Sequence, residues 1–278
     1  MRVALLQLTS GDDPAANLAV TRQLVRRAAD GGAQLILTPE VTNCVSTSRS
    51  HQAMVLQGED QDTTLSALRA ETAATGVPLL IGSLALQSGD PDGRFVNRSF
   101  LISSTGEIAA RYDKMHMFDV TISDTESYAE SKGYRAGQAP CLTQVADVPL
   151  GMTICYDLRF PYLFRHLALL GARIIAVPSA FAVATGQAHW EVLLRARAIE
   201  NGCFILAPAQ VGQHPIAQGR ARATYGHSMV VAPWGEVLLD AGTETGVFFC
   251  DLDLDAVGSA RGRIPSLTHD RPMEPPDA

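Results

Sequence analysis

Three polar side chains interrupt apolar segments of this chain, and their types are complementary. Glu40 ends the run Leu35-Ile36-Leu37-Thr38-Pro39, Lys114 breaks the stretch Tyr112 to Phe118, and Cys155 follows Leu150-Gly151-Met152-Thr153-Ile154. A thiol is mostly protonated at neutral pH, so a nucleophilic cysteine needs a base to take its proton or a cation to hold the thiolate. Glu40 can be that base and Lys114 that cation. The ammonium can also face the oxyanion of a tetrahedral intermediate, together with the backbone N–H of Tyr156, the residue after the thiol. This combination is acyl-transfer chemistry. Each residue also has a plainer reading: Cys155 as a small buried hydrophobe at a strand end, Glu40 as a helix cap or surface acid at a loop start, Lys114 as a solvated lysine.

The elements that must position these residues follow from the apolar periodicity. Val3 to Leu8 reads as strand, Asn17 to Ala29 as amphipathic helix, Gln34 to Leu37 as strand, Thr64 to Thr75 as helix, and Pro78 to Leu84 as strand. From Phe95 to Tyr112 two strands flank the polar turn Ser103-Ser104-Thr105-Gly106, a hairpin signal. Alternation resumes with strand Pro149 to Ile154, helix Pro161 to Leu170, strand Arg173 to Val177, helix His189 to Asn201 and strand Cys203 to Ala207. Ser228 to Ala232 and Glu236 to Asp240 flank Pro233-Trp234-Gly235, and Gly246 to Leu254 supplies a last strand. Hairpins mixed with crossovers predict an α/β protein with helices outside its sheets. Cys155 then falls where a strand gives way to a helix and backbone N–H groups point into a cleft.

No Pro-, Gly- or Ser-rich linker divides the 278 residues, so a single domain over 1–278 is expected, with a loosely held tail from about Pro265, where Pro272, Pro275 and Pro276 punctuate a polar end. Gly11-Asp12-Asp13-Pro14 stops the opening apolar run where a signal peptide would continue, and no stretch approaches the roughly 20 apolar residues that span a bilayer. The five cysteines, Cys44, Cys141, Cys155, Cys203 and Cys250, are scattered, without the spacing of a disulfide framework or zinc site. A reducing, cytoplasmic setting is expected. A net charge of −7 argues against a nucleic-acid partner, and Arg195 with Arg197, or Arg220 with Arg222, are too few to reverse it. No phosphate-binding or dinucleotide fingerprint is present, so no cofactor and no metal are implied.

Taken together, Pro39-Glu40, Tyr112-Asp113-Lys114-Met115-His116-Met117-Phe118 and Cys155-Tyr156-Asp157-Leu158-Arg159-Phe160-Pro161 resemble, in order and setting, the Glu-Lys-Cys motifs of the nitrilase (carbon-nitrogen hydrolase) superfamily. The similarity covers nearly the whole chain. It implies a four-layer α-β-β-α sandwich and a homodimer through the helices that follow the nucleophile. It also implies a second glutamate near the substrate amide, which falls on Glu130, with Glu126 as the alternative. In the second half, Pro178-Ser179-Ala180-Phe181, Thr185-Gly186, the segment from Ala188 to Glu200 and Tyr225-Gly226-His227-Ser228 resemble the Nit branch.

That resemblance implies a small-molecule amide substrate, N-(4-oxoglutaryl)-cysteinylglycine or the shorter 2-oxoglutaramate, with Ser179, Phe181 and Thr185 among the residues around it. Arg159 either grips a substrate carboxylate through a two-pronged contact or pairs internally with Asp157. His189 and Trp190 either touch substrate or pack a helix start, and His227 reads as structural. His116 is a packing residue beside Lys114. Tyr162 stands where many relatives carry an acid. A non-catalytic scaffold with exposed helices is the rival from another class.

Overall fold

The computed structural model describes residues 1–123 and 126–272. Strand β1 (Arg2–Gln7) leads to helix α1 (Pro14–Asp30), which starts where the Asp13 carboxylate caps the Ala15 N–H at 2.9 Å and Pro14 takes the first turn. Strand β2 (Leu35–Leu37) returns parallel to β1, as a helical crossover requires. Helix α2 (Arg49–Val55) and helix α3 (Thr63–Thr75) follow, the latter closed by Gly76 in the left-handed region. Strands β3 (Leu79–Gln87), β4 (Phe95–Ile102) and β5 (Ile108–Asp113) then form an antiparallel meander through the hairpin expected at Ser103–Gly106.

A short ribbon, β6 (Asp119–Ser123) with β7 (Glu126–Ala129), leads into β8 (Cys141–Val145) and β9 (Val148–Met152). Helix α4 (Pro161–Leu169), β10 (Ile174–Ala176), α5 (Val183–Asn201) and β11 (Phe204–Ala207) continue the parallel crossovers. A second ribbon, β12 (Val211–Gln213) with β13 (Ala223–Tyr225), precedes the antiparallel pair β14 (Met229–Val231) and β15 (Val237–Asp240). Strand β16 (Gly246–Asp251) and helix α6 (Asp255–Arg263) end the main body.

Two six-stranded sheets result, ordered β16-β1-β2-β3-β4-β5 and β15-β14-β11-β10-β9-β8. Alternation along the strands sorts the core. Val3, Leu5, Leu35, Leu37, Leu80 and Leu101 face Leu150, Met152, Ile174 and Leu206 between the sheets. On the other side of the first sheet, Ala4, Leu6, Ile36, Leu79, Ile81 and Phe100 pack on Leu24, Val25 and Ala28 of α1 and Leu65 and Leu68 of α3. Leu163, Phe164 and Leu167 of α4 with Trp190, Leu194 and Ala198 of α5 pack on the second sheet. These are the four layers of an α-β-β-α sandwich.

Helix α5 starts six positions before His189, at Val183, and α2, both ribbons and β8 are elements that periodicity alone did not reveal. Past Pro265, Ser266–Thr268 forms a single 3-10 turn, and Arg165 Nη2 donates to Ser266 O at 2.9 Å and pairs with Asp270. The expected tail lies partly beyond this point, and Pro275 and Pro276 fall outside the described residues. Among the described residues no helix is long and apolar enough to cross a membrane.

Candidate active site

Three connections leave the strand ends on one side of the sandwich. After β2, Thr38 Oγ1 accepts the Gly82 N–H at 3.0 Å, Ser83 Oγ accepts the Val41 N–H at 2.8 Å, and Val41 adopts a left-handed φ of 48°. Gly82 is needed here, because a Cβ on it would lie 2.0 Å from Thr38 O. This loop aims Glu40. After β5, Lys114 N–H donates to Asn97 O at 3.0 Å, and after β9 the Cys155 N–H donates to Pro178 O at 3.0 Å. Cys155 has a φ of 49°, an unfavourable conformation for a side-chain-bearing residue that turns its thiol out of the strand direction. It opens a 3-10 turn, Cys155–Arg159, in which the Tyr156 N–H has no intrahelical acceptor, as at any helix start.

The structure brings Glu40, Lys114, Glu130 and Cys155 to one cavity of about 340 Å³. Glu40 is 4% exposed, Lys114 2% and Cys155 7%, a depth at which Glu and Lys persist only when paired. Lys114 Nζ lies 2.9 Å from Glu40 Oε1 and 2.9 Å from each Glu130 oxygen, so every N–H of the ammonium meets a carboxylate. Glu40 Oε2 accepts the Ala180 N–H at 2.8 Å, and the carboxylate lies near enough to the Cys155 thiol for its charge to act on it. Glu130 Oε2 accepts the Phe118 N–H at 2.6 Å. The side chain of Glu126, the alternative position, lies outside the described residues.

Burial alone would raise the Glu40 pKa, yet the charge and hydrogen bond of Lys114, the Cys155 contact and the charge of Arg222 outweigh it and hold Glu40 below its ordinary value. Burial would likewise lower Lys114, but Glu130 and Glu40 raise it well above its ordinary value. Cys155 moves up, first through burial and then through the nearby Glu40 charge, with Lys114 opposing. The resting site is therefore carboxylate, ammonium and neutral thiol. Such a thiol would need proton transfer at the moment of attack, and Glu40 is the neighbouring carboxylate able to accept the proton.

Asp157, wholly buried, explains why the lysine and cysteine segments lie together. Its oxygens accept the Tyr112 hydroxyl at 2.7 Å, the His116 N–H at 3.1 Å and the Ile154 N–H at 2.8 Å, tying both segments to one carboxylate. Asp157 is thus spent on these partners rather than on Arg159. The His116 ring meets Asp157 at 2.6 Å, stacks on Phe160 and reaches the Tyr162 hydroxyl, so Tyr162 engages the packing histidine.

Tyr156, Phe181 and Thr185 line the cavity. Arg159 lies outside its lining, over the rings of Phe181 and Tyr156 and 3.3 Å from His189 Nδ1. Ser179 is fully buried and hydrogen-bonded to Val177 O at 3.0 Å, so its hydroxyl serves the backbone and not the cavity. Trp190 packs on Phe181 and donates to His227 O at 2.8 Å, and His227 Nδ1 meets Asp240 at 2.9 Å. Sequence reasoning missed Asn97, whose Nδ2 bridges Glu40 Oε1 at 2.9 Å and Glu130 Oε1 at 3.5 Å. A lone asparagine inside a strand was the only signal for it. Among the described residues no group of His, Cys, Asp or Glu is arranged to hold a metal ion.

Comparison with known proteins agrees with this geometry. The carbon-nitrogen hydrolase family pattern matches residues 2–262. The chain belongs to the carbon-nitrogen hydrolase family. It is 42% identical over 273 residues to the deaminated glutathione amidase of Yersinia enterocolitica, covering 97% of this chain and 92% of the relative. The structure of the Caenorhabditis elegans NitFhit protein superposes with a TM-score of 0.86 at 34% identity, covering 97% of this chain and 65% of that one. Saccharomyces cerevisiae Nit3, a nitrilase-superfamily member, superposes with a TM-score of 0.82 at 27% identity over 95% of this chain and 94% of its own. The family chemistry is hydrolysis of carbon–nitrogen bonds in amides.

Proposed function

We propose that this carbon-nitrogen hydrolase cleaves the amide of deaminated glutathione, N-(4-oxoglutaryl)-cysteinylglycine, to 2-oxoglutarate and cysteinylglycine through a thioester on Cys155. The observation that carries the chemistry is a single carboxylate, Glu40, hydrogen-bonded to the Lys114 ammonium and close enough to the Cys155 thiol to raise its pKa, inside one cavity. The substrate reading draws on the similarity to amidases of that name.

Glu40 takes the thiol proton as Cys155 Sγ attacks the amide carbonyl. The tetrahedral oxyanion faces the Tyr156 N–H. Because each Lys114 N–H already meets a carboxylate, Lys114 acts mainly through its charge, with Glu130 holding it in place. The C–N bond breaks as Glu40 passes its proton to the departing amine, leaving the thioester. Water then attacks the thioester, Glu40 takes the water proton and returns one to the sulfur, and the free acid leaves.

A second copy of the chain packed against α4 and α5 is the proposed assembly, supported by exposed apolar side chains at Tyr162, Leu169, Val192 and Ile199. The five free thiols support a reducing, cytoplasmic setting. The test is turnover of purified enzyme on deaminated glutathione and on 2-oxoglutaramate, with mass spectrometry of quenched enzyme for a Cys155 acyl adduct. Higher kcat/KM on deaminated glutathione with the adduct on Cys155 is expected. A preference for 2-oxoglutaramate makes the enzyme an ω-amidase instead, and no turnover of any amide leaves the scaffold reading.

A further inference from the structure

Two arginines in the cavity wall have no part in the chemistry described above. Arg220 and Arg222 sit on the loop that joins β12 to β13, and both line the cavity that holds Cys155. Among the described residues neither guanidinium has a carboxylate at ion-pair distance, although the chain carries a net charge of −7 and most of its other arginines are paired. Arg222 spends one N–H on Ala180 O at 3.0 Å, and its charge reaches Glu40, which Lys114 already neutralises. Arg220 spends one on Ser127 O at 3.4 Å and lies over the Tyr128 ring. Among the described residues the remaining donors of both have no acceptor. Arg49 and Lys132 also line the mouth, but Asp92 and Asp119 lie close enough to offset their charge in part.

The loop that carries the two arginines is fixed to the body at its backbone. His214 is buried between Ser10 O at 2.7 Å and Thr224 Oγ1 at 2.8 Å, and burial lowers its pKa to about 4, so it is a neutral strut. Asp12 Oδ2 accepts the Ala217 N–H at 2.8 Å and the Gln218 N–H at 3.3 Å. Thr47 Oγ1 lies 2.7 Å from Arg220 N and 2.9 Å from Arg220 O, clamping that residue from both sides. Gly219 makes the clamp possible, since a Cβ there would lie 2.5 Å from Thr47 Oγ1 and its φ is +104°. A backbone held this firmly presents its side chains at low entropic cost, which is how a recognition group is prearranged.

We infer that Arg220 and Arg222 are the carboxylate-recognition residues of this cavity, and that the enzyme selects amides bearing a carboxylate at the end of the acyl or amine part. This rests on the amidase reading for the meaning of the cavity, but not for its binding chemistry. Guanidinium groups with free parallel N–H bonds match carboxylate geometry, and in a partly closed cavity the pair is screened less than at the surface. Deaminated glutathione carries such a carboxylate at each end.

The test uses the full-length Cys155→Ala protein, which cannot form a thioester, and isothermal titration with two probes: N-glutarylglycine, a dianionic amide, and its neutral dimethyl ester. The dianion is expected to bind about tenfold or more tighter than the diester, a gap near 1.4 kcal/mol or above. That gap should narrow as sodium chloride is added and collapse in Cys155→Ala carrying Arg220→Ala. Among the described residues the Arg220 side chain makes one long hydrogen bond and one ring contact, and Arg220→Ala leaves the backbone clamp of Thr47 intact, so its removal is structurally mild; Arg222→Lys serves as the second variant, keeping charge while losing the fork. Equal affinity for the two probes, absence of binding by both, or a preference that survives Arg220→Ala together with Arg222→Lys overturns the assignment. Turnover by the wild-type enzyme tests the amidase reading separately, so an enzyme that hydrolyses amides without favouring the dianion leaves that reading standing and removes this one.

Discussion

Asn97 Nδ2 donates to Glu40 Oε1 at 2.9 Å, the same oxygen that receives Lys114 Nζ. One oxygen of Glu40, the proposed base, is thus fully engaged, and Oε2, held by the Ala180 N–H, completes its orientation. Asn97 is a positioning residue, and Asn97→Ala should lower kcat/KM by roughly 10- to 100-fold, the effect of losing about 1.5–3 kcal/mol of charge-assisted hydrogen bonding. Its signature is an upward move of the acid limb of the rate profile, because a donor that favours the carboxylate form is gone. A loss of rate with an unmoved acid limb would assign Asn97 to packing alone.

Cys155→Ala and Glu40→Gln should each abolish amide turnover, the first while leaving the thermal transition in place and the second while lowering it. Both substitutions keep approximate shape, but the Gln oxygen can accept from Lys114 or from the Ala180 N–H and not from both, since its NH2 only donates. Circular dichroism melts beside turnover assays check this. Full amidase activity in Cys155→Ala would remove Cys155 as nucleophile.

Lys114→Met should destabilise the fold by about 3–5 kcal/mol, since buried Glu40 and partly buried Glu130 lose the cation they share. Adding Glu130→Gln to that variant should restore part of the loss by removing one of the two like charges. Denaturant titrations of the single and double variants measure it, and equal stabilities would show that the buried charges are not coupled in this way.

Opposite pH limits follow from the two buried charges. The folded pKa of Glu40 is lower than its ordinary 4.5, so its contribution to stability is present above that value and lost as pH falls through the lower folded pKa. Lys114 is raised, so its contribution is complete below its ordinary 10.5 and lost only as pH rises through the still higher folded pKa. The acid limb of kcat/KM should therefore lie below pH 4.5. An acid limb near neutrality would contradict Glu40 as the base. Since the Cys155 thiol is neutral at rest, its alkylation by iodoacetamide should slow sharply in Glu40→Gln.

Asp157→Ala should cost several kcal/mol, because the Tyr112 hydroxyl and the N–H groups of Ile154 and His116 lose a buried acceptor at about 1–3 kcal/mol each. Tyr162→Phe, by contrast, removes one hydroxyl from an exposed ring and should change stability by no more than about 1 kcal/mol. Chemical denaturation separates the two. A large effect at Tyr162 would mean that the His116 contact supports the site.

Much of the fold was legible because local signals and the final sheets agree. The helix expected from Asn17 begins three residues earlier at Pro14, the polar turn at Ser103–Gly106 makes its hairpin, and the apolar runs at β1, β2, β9 and β10 form strands as their periods suggest. The elements that escaped are short or polar. Helix α2 has one buried residue, Gln52, and the ribbons β6–β7 and β12–β13 are held by surrounding loops more than by an apolar stripe of their own. The start of α5 was hidden because Val183 to Ala188 has no side-chain cap and only Gly186 buried.

The chain on its own determined which chemistry is available: an acid, an ammonium and a thiol, each at the close of an apolar run, are identities written in single positions. Tertiary structure decided how that chemistry is held. Asn97 between two carboxylates, Asp157 joining the Tyr112 and Cys155 segments, and Ser179 turned into the backbone depend on contacts between residues 33 or more positions apart or on the direction of one bond vector. A hydrogen bond requires its partners within about 3 Å and aligned, a condition set by the packing of two sheets, to which no local pattern of residue types is sensitive.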